Sequence, residues 1–502
     1  MDGVIGLDCS TSAVKAVAFD ARGVVLAEGR AALPFEALGD NRFEQDPEDW
    51  WRAACVALRG LAAAAQGVRF VGLAIANQRE TIAPLDAEFR PTRPAILWLD
   101  GRARDDAEAM VVRWGRDALH RITGKIPDPN PALYKLAWMR RVEPALLDAS
   151  RHFADVHGYL AQRLTGRFAT STASADPLGV FDLASGDYAH DLLASIGLRA
   201  DQFASARRPG SVIGALHAQA AAETGLPEGL MVAAGGGDGQ SAGVAVGLDA
   251  PGRAYLNLGT AIVSGLHSAE YRTGTAFRTM ISAGGPGYVL ETSLRSGTLA
   301  CDWLARDLFG DPAALTTLEA EATALPLGAD GVFVLPYFLG VMTPHWDSAA
   351  RGAILGLAPH HGRAHLLRAL FEGIAHEQAD VTARIIAATG LEVTEIVAIG
   401  GGSRSDLWCR IIADVMNVPV LRSASAEASA LGAAMAACVA AGWFADFATA
   451  AAAMAGPITA RFEPDPARVA RYVELARDYR TIYPRLAGFP GASGPATGTT
   501  AP

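Results

Sequence analysis

The sequence predicts an α/β protein made of two related halves. Three observations carry that expectation. The chain has 502 residues, more than one ordinary core accommodates, so two domains are expected. Half of its residues are hydrophobic and 19% are charged, enough apolar material for large buried sheets. Strand-length apolar runs alternate with helical ones. A strand–turn–strand unit near the start, Leu7-Asp8-Cys9-Ser10-Thr11-Ser12-Ala13-Val14, is echoed at the midpoint by Leu256-Asn257-Leu258-Gly259-Thr260-Ala261-Ile262-Val263.

Residues 4–8 read as a buried strand and 13–20 as its antiparallel partner, joined by the polar turn Cys9-Ser10-Thr11-Ser12. Ala21-Arg22-Gly23 turns again into a strand at 24–29. Asp46-Pro47-Glu48-Asp49 starts a helix that runs to about residue 65, with Asp as cap, Pro at the first position and acids in the first turn. Residues 68–76 form a strand ending at Asn77-Gln78-Arg79-Glu80, and 94–99 a second ending at Asp100-Gly101-Arg102. Polar clusters at strand ends are where open α/β sheets bind ligands. From Met231 a further apolar strand runs into Gly235-Gly236-Gly237, then Asp238, then small residues that can open a helix. In the second half, 254–258 and 261–266 form a hairpin around Gly259-Thr260, 395–399 a strand, Gly400-Gly401-Gly402 a loop, 405–416 a helix and 419–421 another strand. The uncharged run 428–445 imitates a membrane span, but Ala and Gly dominate it and no basic anchors flank it. A helix buried between a sheet and a neighbouring domain is the better reading. From Gly488 on, the Gly, Pro, Ala, Ser and Thr composition predicts a disordered tail.

The bulk numbers exclude several classes. The formal net charge of −10 disfavours nucleic acid or an anionic membrane as partner. Five scattered cysteines, in no metal-like spacing, read as reduced thiols of a cytoplasmic protein, and the start lacks a signal-peptide core. No P-loop string, no Gly-x-Gly-x-x-Gly after a strand, no His-Glu-x-x-His and no Gly-x-Ser-x-Gly occurs.

What remains is a phosphoryl-transfer layout. Glycines let the backbone approach a ligand, and a helix start offers unpaired N–H groups to an anion. Asp238 in that frame is the candidate catalytic base, orienting the attacking hydroxyl. Asp8 at a strand end can hold Mg²⁺, and Thr11 and Ser12 at the hairpin tip can hold phosphates, with Lys15 near them. The loop Gly400–Gly402 before a helix fits nucleotide binding. Arg79 and Glu80 are the substrate candidates, because a polyhydroxylated ligand both donates and accepts. Trp50, Trp51, Trp98, Trp138 and Trp303 read as core, and His360-His361 as a solvated turn.

Taken together, these segments resemble the FGGY carbohydrate kinases over about residues 4–486. The matching pieces are Gly6–Lys15, Glu44–Trp51, Pro94–Trp98 with Asp100-Gly101-Arg102, Gly235–Asp238, Asn257–Thr260, Gly400–Ser405 and Ala430–Ala434. The resemblance implies two actin-like (ribonuclease H-like) ATPase domains hinged around a central cleft, at residues 1–246 for sugar and phosphate and 247–487 for nucleotide. It implies ATP and Mg²⁺, with Asp8 and Asp238 as the metal-associated acids. On the cofactor side it places Thr11, Ser12, Lys15, Gly259, Thr260, Gly297, Gly401, Gly402 and Ser405. On the substrate side it places Gln78, Arg79, Glu80, Asp100, Asp238 and Gln240. The Glu44–Trp51 and Asp100–Arg102 pieces look like xylulokinases, whereas Asn77-Gln78-Arg79-Glu80-Thr81 looks like glycerol kinase. Asn130 stands where glycerol kinase places an aromatic, which leaves room for a longer, more polar substrate. The expected reaction is therefore ATP-dependent phosphorylation of a terminal hydroxyl of a pentulose such as D-xylulose. Glycerol or another polyol is the alternative acceptor, and a homodimer is a candidate assembly. An actin-like ATP-driven clamp and a catalytically idle sugar sensor are the non-kinase alternatives.

Overall fold

The computed structural model describes residues 1–347, 349–425 and 427–487, so the tail expected to be disordered lies outside the described residues. The strands that matter are β1 (Asp2–Cys9), β2 (Ala13–Phe19), β3 (Val25–Ala32), β4 (Arg69–Asn77), β5 (Val212–Ala215) and β6 (Met231–Gly237) in the first half. The second half holds β7 (Arg253–Leu258), β8 (Ile262–Ser268), β9 (Arg278–Ile281), β10 (Tyr288–Leu294), β11 (Glu395–Ile399), β12 (Val420–Ser423) and β13 (Ile458–Phe462). The helices used below are α1 (Pro47–Ala64), α2 (Ala132–Val142), α3 (Val156–Thr165), α4 (Asp238–Ala245), α5 (Arg363–Thr389), α6 (Asp406–Met416), α7 (Ala428–Ala440), α8 (Phe447–Met454) and α9 (Pro466–Tyr479).

The first half forms a six-stranded sheet in the order β5-β6-β4-β1-β2-β3. Its β1, β4 and β6 run parallel, while β2, β3 and β5 are antiparallel to their neighbours. The second half forms a seven-stranded sheet, β9-β10-β8-β7-β11-β12-β13, with the same pattern and one added strand. Here β7, β11 and β12 are parallel, and β8, β10 and β13 are antiparallel to their neighbours. The echo read from Leu7–Val14 and Leu256–Val263 is thus a repeat of topology, each copy opening with a hairpin beside a parallel strand.

Packing explains the apolar run after Glu427. Helix α7 lies against β1, β4 and β6 of the first sheet on one side and against α4 on the other. Two glycines set the approach. A Cβ on Gly6 would stand 1.8 Å from the Ala430 carbonyl oxygen, and one on Gly432 would stand 1.9 Å from the Ser241 carbonyl oxygen. The run is not one helix as far as residue 445. Gly442 takes a left-handed φ of 74°, Trp443 N–H returns to the Cys438 carbonyl, and Asp446 caps a new helix, α8. Among the described residues no helix is long and apolar enough to cross a membrane. All five cysteines are buried and unpaired.

The strand expected at 94–99 is the other correction. Only Ala95–Ile96 pairs as strand, against Glu44 and Gln45. Pro94 lacks a donor, the Trp98 N–H goes to the Thr81 hydroxyl at 3.2 Å, and the Asp100 N–H closes a turn to the Leu97 carbonyl.

One buried acid in the second half predicts a pH effect. Glu377 on α5 accepts hydroxyl hydrogen bonds from Tyr337 (2.7 Å) and Tyr479 (2.9 Å), yet burial still pushes its pKa up to about 7. The folded protein then binds a proton that the unfolded chain has lost above the ordinary glutamate range. Glu377 therefore contributes stability at acidic pH that is lost as pH rises from about 4.5 to about 7. Thermal melting from pH 5 to 8 should show the parent losing stability faster than Glu377→Gln. Parallel curves would remove Glu377 from the account.

Candidate functional site

Register brings the predicted chemistry to one end of the first sheet. Cys9 lies opposite Asn77, and Gly237 lies opposite Asn77 on the other side. Asp8, the segment Gln78-Arg79-Glu80 and Asp238 therefore leave adjacent parallel strands at the same edge. In the second sheet Asn257 lies opposite Ile399, which places the Gly259-Thr260 turn beside the Gly400–Gly402 loop. Gly297 joins them: its N–H donates to the Thr260 carbonyl at 2.8 Å, and a Cβ there would stand 2.4 Å from the Gly259 carbonyl oxygen.

Asp238 is the first residue of α4, not its cap, which is Gly237. Its carboxylate accepts the Gly239 N–H at 2.7 Å and lies 3.2 Å from Arg79 Nε. The side chain keeps 38% of its surface, yet protein atoms crowd around it. Burial raises its pKa; Arg79 and the Gly239 N–H pull the other way, and Glu291 and Glu80 add to the rise. The result is a carboxylate at the end of a sheet, more basic than usual and open to a ligand.

The three glycines serve the protein's own packing, which corrects the ligand-cradle expectation. A Cβ on Gly235 would meet the Ile75 carbonyl oxygen at 2.1 Å, one on Gly236 the Ala283 methyl at 2.8 Å, and one on Gly237 the Arg79 Cδ at 2.5 Å. Gly237 makes room for the Arg79 stem. Gly235 is also gripped from both sides: its N–H donates to His157 Nε2 at 3.2 Å, and its carbonyl accepts the Ser171 hydroxyl at 2.6 Å.

From Asp238 a line of alternating charges leads inward. Arg79 Nη1 donates to Glu291 Oε2 at 2.7 Å and to Gln240 Oε1 at 3.3 Å. Arg278 donates through Nε to Glu291 Oε1 at 2.7 Å and through Nη1 to Glu80. Burial opposes charge on both guanidiniums, but Glu291, Asp238 and Glu80 around Arg79, and Glu80 and Glu291 around Arg278, outweigh it and hold both charged. Glu291 is wholly buried, which would raise its pKa; Arg79 and Arg278 overcome that and hold it down to about 2. Arg278 and Glu291 come from β9 and β10 of the second sheet, and nothing in their local sequence marked them. The order of charges exists only in space.

Glu80 has a left-handed φ of 62°, costly for a residue with a side chain. Lys135 on α2 holds it there, donating to the Glu80 carbonyl at 2.9 Å and the Asn130 carbonyl at 2.6 Å. Burial lowers the Lys135 pKa to about 8. In the sequence Lys135 is marked only as a lone lysine in an apolar helical turn. Asp128, two residues before Asn130, is raised by burial against the pull of Arg295, which is half-buried and holds no ion pair among the described residues.

Asp8 is buried, and its Oδ2 accepts the Ser10 hydroxyl at 2.9 Å. Its Oδ1 has no hydrogen-bond partner among the described residues. Burial, and next the charge of Asp238, push its pKa up to about 7. Two mutually repelling carboxylates with an unpartnered buried oxygen are a donor set that fits a hard divalent cation.

The other expected residues divide. Thr260 and Ser12 are exposed at their hairpin tips, Gly259 is partly exposed, and a Cβ on Gly401 would meet open space. Thr11 accepts the Trp98 indole N–H at 2.9 Å, so half-buried Trp98 belongs to this site rather than to a core. Gln240 bridges, donating to the Ala173 carbonyl at 2.8 Å. Four expected site residues also hold hydrogen bonds or ion pairs within the protein. Gln78 donates to Gln45 and accepts from Thr81, in a buried polar cluster with Trp50. Asp100 is wholly buried and accepts the Arg102 guanidinium twice, at 2.8 and 2.7 Å. Lys15 is bound to both oxygens of Glu427, at 2.9 and 2.6 Å, tying the first hairpin to the start of α7. Ser405 caps α6 through the Trp408 N–H and donates to Glu319 at 2.8 Å.

Asp330, His360 and His361 bring ligand atoms within 4.8 Å of one another. The Ala358 N–H occupies His361 Nδ1 at 2.8 Å, so Nε2 keeps the proton and donates to the Asp330 carbonyl. That is a hydrogen-bonded clasp: His360 is exposed, as a solvated turn would have it, but the His361 side chain keeps only 2% of its surface.

Comparison with known proteins agrees with this arrangement. Residues 3–245 match the N-terminal domain of the FGGY family of carbohydrate kinases, and residues 254–441 its C-terminal domain. A xylulose kinase of Bacillus subtilis is 30% identical over 493 residues, covering 96% of this chain and 97% of the relative. A glycerol kinase of Alkalilimnicola ehrlichii is 31% identical over 455 residues, covering 86% and 89%. The crystal structure of a xylulose kinase from Rhodospirillum rubrum superposes with a TM-score of 0.90 at 30% identity, covering 97% of this chain and 99% of that one.

Proposed function

The chain belongs to the FGGY family of carbohydrate kinases, and from that premise we propose that it transfers the γ-phosphoryl group of ATP to a terminal hydroxyl of a pentulose such as D-xylulose. The observation that carries the reading is Asp238: a carboxylate of raised basicity, partly exposed at the end of the first sheet and aligned by Arg79. In the transfer, the substrate oxygen bonds to the γ-phosphorus as the bridging P–O bond breaks and ADP leaves with that electron pair. The hydroxyl proton passes to Asp238. Arg79 limits the directions the carboxylate can take and keeps it from protonating too early. Glu80 and Arg79 offer one acceptor and one donor to neighbouring substrate hydroxyls. The hairpin tips at Thr11-Ser12 and Gly259-Thr260, with Gly297, Gly401 and Gly402, form the surface assigned to the nucleotide.

Asp8 and Asp238 are the residues that would hold Mg²⁺. When bound, the ion would neutralise charge on the phosphate oxygens.

A pentulose is favoured because the xylulose kinase relatives match 96% of the chain, including regions the glycerol kinase match leaves out. Arg79-Glu80 is the specific feature that favours glycerol or another small polyol as a second reading. ADP release measured with xylulose, ribulose, glycerol, erythritol, ribitol and gluconate should give the highest kcat/KM with a pentulose. A maximum at glycerol or erythritol selects the second reading, and no stimulation by any acceptor rejects both.

A further inference from the structure

We propose that Arg278 and Glu291 are positioning residues that build the substrate grip from the second lobe, by fixing Arg79 and Glu80 in register with each other. This rests on the kinase reading above. Neither residue is free to touch substrate. Glu291 is wholly buried, and its two oxygens are divided between the two guanidiniums, Oε1 to Arg278 and Oε2 to Arg79. Arg278 points Nε and Nη2 at Glu291, at 2.7 and 2.6 Å, and Nη1 at Glu80. Among the described residues, the ends left without a hydrogen bond are Arg79 Nη2 and Glu80 Oε2. One donor and one acceptor at fixed separation is the complement of a vicinal diol.

The second lobe's strand is itself fastened to the first lobe immediately after the key side chain. The Thr279 N–H donates to the Gly124 carbonyl at 2.8 Å, and the Ile281 N–H donates to Asp176 Oδ2 at 2.7 Å. Arg278 opens the strand that these two bonds anchor. The forked guanidinium reaches two carboxylates at once, which an ammonium cannot do with the same geometry. Without it, Glu80 and Glu291 would lose a shared buried counter-charge, and Glu80 would lose the contact that aims its side chain.

The test is steady-state kinetics of Arg278→Leu, Arg278→Lys and Glu291→Gln with the best acceptor, alongside thermal melting. A residue that aims the grip acts on acceptor binding equally in ground and transition states. The acceptor KM of Arg278→Leu should rise about tenfold or more, with kcat changed by less than about threefold and the KM for ATP unchanged. Arg278→Lys should recover part of the acceptor KM, and Glu291→Gln should resemble Arg278→Leu. If Arg278→Leu does not fold, Arg278→Lys and Glu291→Gln are read alone: a raised acceptor KM supports the proposal and an unchanged one overturns it. A fall in kcat with acceptor KM unmoved also overturns it. An active parent with unaffected variants defeats this inference alone, whereas a parent that phosphorylates no acceptor defeats the kinase reading and this with it.

Discussion

Asp238→Asn should lower kcat by about 10²- to 10⁴-fold, the range removal of a general base covers, while the protein still folds. Asn matches Asp in shape, and its carbonyl oxygen can still accept the Gly239 N–H that Asp238 accepts at 2.7 Å. What it cannot do is take a proton or balance the Arg79 guanidinium 3.2 Å away. Arg79 keeps Glu291 as a buried counter-charge, so the ionic line survives the substitution. The side chain is also 38% exposed, which limits the stability cost. A coupled ADP assay with a thermal melt measures both quantities. Turnover within tenfold of the parent, at an unchanged melting temperature, would remove Asp238 from the chemistry.

Gly6→Ala and Gly432→Ala should each destabilise the protein by about 3 kcal/mol or more, at the upper end of overpacking effects. The added methyl would stand 1.8 Å from the Ala430 carbonyl oxygen in the first case and 1.9 Å from the Ser241 carbonyl oxygen in the second. Both obstacles are backbone, so no rotamer change relieves them. Helix α7 would have to move away from β1 or from α4. Because Asp238 opens α4 and its carbonyl accepts the Ser429 hydroxyl at 3.1 Å, the displacement reaches the Asp238 carboxylate. Lower turnover in whatever protein remains folded is therefore expected along with lower stability. Gly60→Ala is the control. Gly60 lies in the exposed face of α1 with only the Gly29 Cα within 4 Å of the added methyl, at 3.6 Å. It should be neutral or stabilising by up to about 1 kcal/mol through helix propensity. Chemical denaturation of the three variants would settle the comparison, and parental stability in Gly6→Ala would refute the packing account.

Local signals carried much of this protein. Asp46-Pro47 marked a helix start because a cap and a first-turn proline satisfy their own backbone within a few residues. The Leu7–Val14 and Leu256–Val263 echo marked two hairpins because turn polarity and strand hydrophobicity are written in adjacent positions. Asp238 stood out for the same reason, a lone acid between a strand and small residues. Several expected site residues are held by side chains that nothing at their own positions announced. Gln78 and Asp100 looked open at strand ends, but Gln45 and Arg102 occupy them. Lys15 lay beside a phosphate turn in sequence, and Glu427, 412 residues away, holds its ammonium. The three glycines announced a close approach correctly, but not what approaches; a side chain, Arg79, is one answer.

The sequence by itself determined the two-lobed α/β plan, the placement of Asp8 and Asp238 at strand ends, and the absence of the common nucleotide-binding strings. These follow from periodicity and turn chemistry, which act over a few residues. Only the tertiary structure decided that Arg278 and Glu291 join Arg79 and Glu80 in one ionic line and that α7 is wedged between β1 and α4. An ion pair is set by distance in space, and residues 79, 80, 278 and 291 become neighbours only when β9 and β10 dock against the end of β4. No pattern along the chain encodes that distance.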